Sequence, residues 1–180
     1  MNFKRLVLFA GHYGSGKTNI AVNVAMDLKK EGKDVVIADL DIVNPYYRTK
    51  DSEVGGDDRG ALALGRYAPA ILEENNYEML LVINFYRPLT KDIAGMIEVM
   101  REIELAGGIP FTGIVNNSNL GRETTPQDVI ATDAFARQMA EATGLPLRMT
   151  TVWETVADEV AETLPDVVPL RLQNKRLWND

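Results

Sequence analysis

Residues 11–18 read GHYGSGKT, and the fold follows from how these eight positions are read. They fit the pattern GxxxxGK[ST]. A triphosphate packs several oxyanions close together and needs many donors converging on them. Glycines at 11, 14 and 16 permit backbone angles that bulkier residues avoid, and they let N–H groups approach the oxygens. A helix starting behind the loop adds unpaired N–H groups and about half a positive charge. Lys17 would then bridge the β- and γ-phosphates, and the Thr18 hydroxyl would ligate magnesium. An accidental glycine turn would lack the flanking context found here. Residues 6–10, LVLFA, form a continuous apolar run suited to a strand buried on both faces. Beyond the loop, Ile20, Ala21, Val24, Ala25 and Leu28 recur at helical spacing. Gly11, His12, Tyr13, Gly14, Ser15, Gly16, Lys17 and Thr18 are therefore candidate nucleotide-binding residues.

Outward from the loop, strand and helix patterns alternate. Lys29 and Lys30 suit a last helical turn, with Gly32 as the stop. Residues 35–40 read as a second strand. Residues 59–75 look helical with an interruption at Pro69, and residues 79–85 form another buried strand. Thr90 can cap a helix with a buried stripe of Ile93, Met96, Ile97, Met100 and Ile103, ending at Gly107 and Gly108. A strand at 111–115 follows. Thr125 and Pro126 read as N-cap and first helical position of a helix stopping at Gly144. Residues 147–152 and 167–172 are the last strands. The pattern predicts an α/β domain: a mostly parallel, twisted sheet with helices on both faces, three layers in all.

Composition narrows the classes. With 180 residues, 46% of them hydrophobic, the chain can bury one sizeable core, so residues 1–180 are expected to form a single domain. A net charge of -7 argues against binding bulk nucleic acid through the net field. The chain has no cysteine, which excludes disulfides, thiolate metal sites and cysteine nucleophiles. One histidine excludes a multi-histidine metal centre. No apolar stretch is long enough to span a bilayer, and the first residues run straight into a strand rather than a cleavable signal. A cytoplasmic location is the expectation.

Asp39 and Asp41 sit at the carboxyl end of the 35–40 run, where ligands of open parallel sheets bind. One residue apart on an extended chain, their carboxylates start on the same side. One can order magnesium-bound water while the other positions the attacking water; a solvated turn is the plainer reading.

The order of glycine loop, helix and IADLDIVNP resembles the deviant-Walker-A, or SIMIBI, class of P-loop NTPases. That class includes the MinD- and ParA-type ATPases and the cobyrinate amidase-type (CobQ and CobB) nucleotide-binding domains. The resemblance implies that Asp41 orients hydrolytic water and that Asp39 neighbours the magnesium shell. It also implies that an asparagine after a late strand contacts the adenine. Asn116 or Asn117, in GIVNNSN, stands at such a strand end, where a simple turn is the other reading. A guanine-reading NKxD motif is absent, which favours ATP over GTP.

Two features depart from the class. Its signature lysine directly follows the first glycine and reaches across a homodimer; here that position is His12. Imidazole is shorter and titrates near neutrality, so cross-dimer activation would be weak, pH-dependent or absent. Alternatively His12 is only a loop residue. Second, the segment VGGDD at 54–58 resembles the switch after a Walker B aspartate, with Glu53 in the aspartate's register and Asp57 beside the magnesium. The residues before it, YYRTKDS, cannot make the buried strand that normally leads there.

Three functions fit: a magnesium-dependent ATPase switch, an ATP-dependent small-molecule kinase or ligase, and a nucleotide-binding module without hydrolysis. Fold analogy alone cannot separate them, and the protein partner is not specified by sequence. The missing apolar run leads to a prediction about the chain itself, a discontinuity or missing strand between about residues 48 and 54. A measured mass matching 180 residues, with every Cα step there near 3.8 Å, would instead mean a truly contracted chain and would undercut Glu53 and Asp57 as magnesium neighbours.

Overall fold

The apolar residues 79–83 lie in a strand whose two faces are both covered. In the computed structural model, which describes residues 2–12, 14–38, 59–88 and 92–171, strand β2 spans Tyr77–Ile83 and is buried at every position. On its left it pairs in parallel with β1, Leu6–Ala10, and on its right with β3, Gly113–Asn116. Strands β4, Leu147–Trp153, and β5, Val167–Leu170, complete a five-stranded, all-parallel sheet in the order β1-β2-β3-β4-β5. The α/β parallel-sheet expectation holds.

Side-chain alternation along β2 divides the core. Met79, Leu81 and Ile83 face one layer, built with α2 (Arg59–Glu74), α3 (Ile93–Gly107) and α4 (Pro126–Thr143). Leu80 and Val82 face the other, where Ile20 and Val24 of α1 (Lys17–Lys30) meet Val115 and Met149. Helices therefore lie on both faces. A short helix, α5 (Ala157–Ala161), closes the far end with Val129, Val152 and Leu164. No described helix is long and apolar enough to cross a membrane.

Three local expectations are corrected. Residues 35–38 belong to no strand: Val36 is 94% exposed, and β1 pairs with β2 instead. An apolar run becomes a strand only when a neighbour accepts its ladder, and β-propensity does not say which neighbour that is. Among the described residues β1 is an edge strand. Pro69 lies within α2 rather than breaking it. A proline inside a helix costs about 3 kcal/mol, and burial of Leu64 and Ala68 against α3 offsets it. Gly107 assists, since a Cβ there would press to 3.0 Å from Leu64 Cδ2. The cap of α3 is Asp92, whose side chain accepts from Gly95 N at 2.9 Å; Thr90 lies outside the described residues, as do residues 48–54 and the discontinuity expected there.

Helix α4 follows its sequence signals closely. The Thr125 side chain accepts from Asp128 N, and Asp128 Oδ2 accepts from Thr125 N at 2.8 Å. Gly144 ends the helix in the left-handed conformation. Thr125→Ala removes this reciprocal cap and should cost about 1 kcal/mol. For a domain of this size a thermal melt should shift down by roughly 2–4 °C; an unchanged midpoint would show that the cap contributes nothing.

Candidate functional site

The glycine loop connects β1 directly to α1, as its sequence position requires, and two glycines are indispensable to its path. A Cβ at Gly11 would collide with the Val82 carbonyl of the adjacent strand. Gly16 takes φ 94°, and a Cβ there would collide with the Asn117 amide. The loop is closed by Ser15 N donating to His12 O at 3.1 Å. Lys17 Nζ donates to the same carbonyl at 3.2 Å, so the lysine lies across the loop. No side chain caps the N-terminus of α1 and no acidic residue stands in its first turn. Its leading N–H groups and dipole are thus directed at the loop without a competing anion. Within the loop, the buried Ser15 Oγ has no hydrogen-bond partner among the described residues. An orphaned donor, a bent lysine and an uncapped helix start suit a phosphate chain.

Behind the loop stands a network built from NNSN at 116–119. Asn117 Nδ2 donates to Ser15 O at 2.6 Å, and its Oδ1 accepts from Thr151 Oγ1 at 2.8 Å. The Asn117 N–H donates to Ile83 O at 2.9 Å. One residue therefore ties the loop to the ends of β2 and β4. Asn116 is turned inward: fully buried, it donates to Thr132 Oγ1 at 3.1 Å and accepts from Ser118 Oγ at 2.7 Å. The base contact expected of Asn116 is not available to that side chain, because its amide is spent inside the core. Asn117 lines a cavity of about 110 Å³ beside Gly14 and Gly16, with Asn119, Thr151 and Trp153 on its other walls.

His12 is buried in the loop and Thr18 is exposed on the first turn of α1. Tyr13, Asp39, Asp41 and Asp57 lie outside the described residues, as does Glu53. Among the described residues, no group of three or more His, Asp or Glu is placed to hold a metal.

Sequence reasoning missed Asn84, which follows the strand beside the loop strand. Its Oδ1 accepts from Tyr86 N at 3.0 Å and from Asn119 N at 3.3 Å. The signal was present: a polar residue ending a buried strand at the sheet's ligand edge. Tyr86 OH in turn donates to Asp128 O at 2.8 Å. Burial, and then the Asp128 charge, hold this phenol above its ordinary pKa, so it remains a donor at neutral pH.

The family model for the CobQ/CobB/MinD/ParA nucleotide binding domain matches residues 6–124. A search of curated proteins finds no match. The matched span covers well over half of the chain and includes the glycine loop, β1, β2, β3 and the asparagine network. With the loop geometry and the parallel sheet, it establishes that the chain belongs to the CobQ/CobB/MinD/ParA nucleotide-binding domain family.

Proposed function

We propose that the protein is a magnesium-dependent ATPase that acts as a nucleotide-controlled switch. The observation that carries this reading is the glycine loop closed on β1, with Lys17 folded across it at the uncapped start of α1. Membership in a nucleotide-binding family supports it. Lys17 holds the β- and γ-phosphates, and backbone N–H groups of residues 14–18 surround them. Thr18, Asp39 and Asp57 would supply oxygen donors of the kind a hard magnesium ion prefers. The ion would neutralise charge developing on the phosphate oxygens.

Asp41 orients the attacking water. Water oxygen bonds to the γ-phosphorus, the bond to the β–γ bridging oxygen breaks, and ADP and inorganic phosphate leave. Presence or loss of the γ-phosphate is the signal that such a switch reads. A homodimer and a protein partner would read out that change.

Two substitutions test the reading. Lys17→Ala removes a charged hydrogen-bonding group of the kind that contributes about 1.5–3 kcal/mol, so ATP affinity should fall by roughly ten- to more than a hundredfold. Calorimetry giving equal affinities for variant and parent would exclude the phosphate contact. Asp41→Asn should bind ATP normally but release phosphate at a small fraction of the parent's rate. A variant that turns over ATP as fast as the parent removes Asp41 from the chemistry, and turnover by the parent only with an added metabolite would point to a kinase or ligase.

A further inference from the structure

The turn that follows β2 is held with unusual completeness for a surface loop, and it presents one charged side chain to the site. Arg87 N donates to Asn84 O at 3.2 Å, closing a four-residue turn. Inside it, Asn84 Oδ1 accepts from Tyr86 N. Phe85 N donates to Ser118 Oγ at 3.1 Å, and the Phe85 ring packs on Phe135 with centroids 5.4 Å apart. Tyr86 OH donates to the α4 backbone at Asp128. Each residue from 84 to 86 is thus anchored to β3's polar extension or to α4.

Arg87 is the exception. It is exposed, and among the described residues its guanidinium has no ion-pair or hydrogen-bond partner. It nevertheless leans on the glycine loop: a Cβ placed on Gly14 would lie 3.8 Å from Arg87 Nε. It also lines the cavity beside Gly14, Gly16 and Asn117, and among the described residues no other that lines the cavity carries a formal charge. A guanidinium projecting from a hydrogen-bonded turn beside phosphate-loop backbone, in a chain of net charge -7, is a cation placed for an anion.

We infer that Arg87 is a second phosphate-binding cation of this site, supplied by the same chain from the turn after β2. It donates its planar fork to phosphate oxygens of the bound nucleotide on the Gly14 side of the loop. This rests on the reading of the loop as a nucleotide site and adds a residue to it. Asn84, Phe85 and Tyr86 fix the backbone from which Arg87 projects, and ordering the long side chain itself is a cost that the phosphate contact offsets.

The test is equilibrium titration of the purified protein with adenosine, ADP and ATP in magnesium buffer. It compares the parent, Arg87→Ala, Arg87→Lys and Lys17→Ala, with thermal melts to establish equal folding. Arg87→Ala should weaken ADP or ATP binding, or both, by about tenfold or more while leaving adenosine binding unchanged, and Arg87→Lys should recover part of the loss. The inference is overturned if Arg87→Ala binds ADP and ATP like the parent while Lys17→Ala does not, an outcome that leaves the nucleotide reading intact. It is overturned as well if adenosine binding falls equally, since that result would mean that the side chain only shapes the cavity. A parent that binds no ATP overturns both readings together.

Discussion

The hydrogen bond from Asn117 Nδ2 to the Ser15 carbonyl, 2.6 Å long and buried, fixes the glycine loop relative to the sheet. It forms because Gly16 has no Cβ to keep the asparagine away. The other end of the same amide is held by Thr151 on β4, and the backbone N–H by the last carbonyl of β2. The loop, β2 and β4 are thereby locked through one residue. In a buried setting such a fully satisfied amide is rigidifying, because any displacement would leave several polar groups unpaired at once.

This arrangement explains how loop and cavity walls are kept in register without a large apolar contact between them. The sheet provides the base: β2 is covered on both faces and cannot shift without opening two cores. At its carboxyl end the core gives way to a polar layer of Asn84, Asn116, Asn117, Ser118 and Thr151, each hydrogen-bonded. Such a layer holds backbone and side-chain donors around the loop in fixed directions, as a ligand with many acceptors requires. Ser15 Oγ, buried and unpartnered among the described residues, interrupts that pattern at the loop itself.

The turn after β2 shows how elements far apart in sequence meet beside the glycine loop. Arg87 is separated from Gly14 by much of the chain, yet parallel pairing of β1 with β2 brings the two carboxyl ends side by side. The residues at those ends meet because the ladder aligns Ala10 with Leu81. No periodicity in the sequence around Arg87 announces this neighbour. The same is true of Thr151, which meets Asn117 only because β4 lies beside β3.

What the sequence determined by itself was everything governed by short-range geometry. The phosphate loop needs glycines at fixed offsets and a lysine at a fixed place, so GHYGSGKT was legible on sight. The start and stop of α4 were legible for the same reason, since Thr125, Pro126, Asp128 and Gly144 act within one turn. Burial of residues 79–83 followed from their composition, whereas residues 6–10, also expected to be buried on both faces, are only partly buried except for Ala10. Tertiary structure decided what depends on partners distant in the chain. Residues 35–38 have strand-like side chains but pair with no described strand, because propensity does not encode whether a neighbour accepts the ladder. Pro69 sits inside a helix because packing of Leu64 and Ala68 outweighs a local penalty. Asn116 and Asn117, adjacent and chemically identical, take opposite duties, one inside the core and one against the loop. Only the direction of the chain leaving β3, set by its neighbours, determines which asparagine points where.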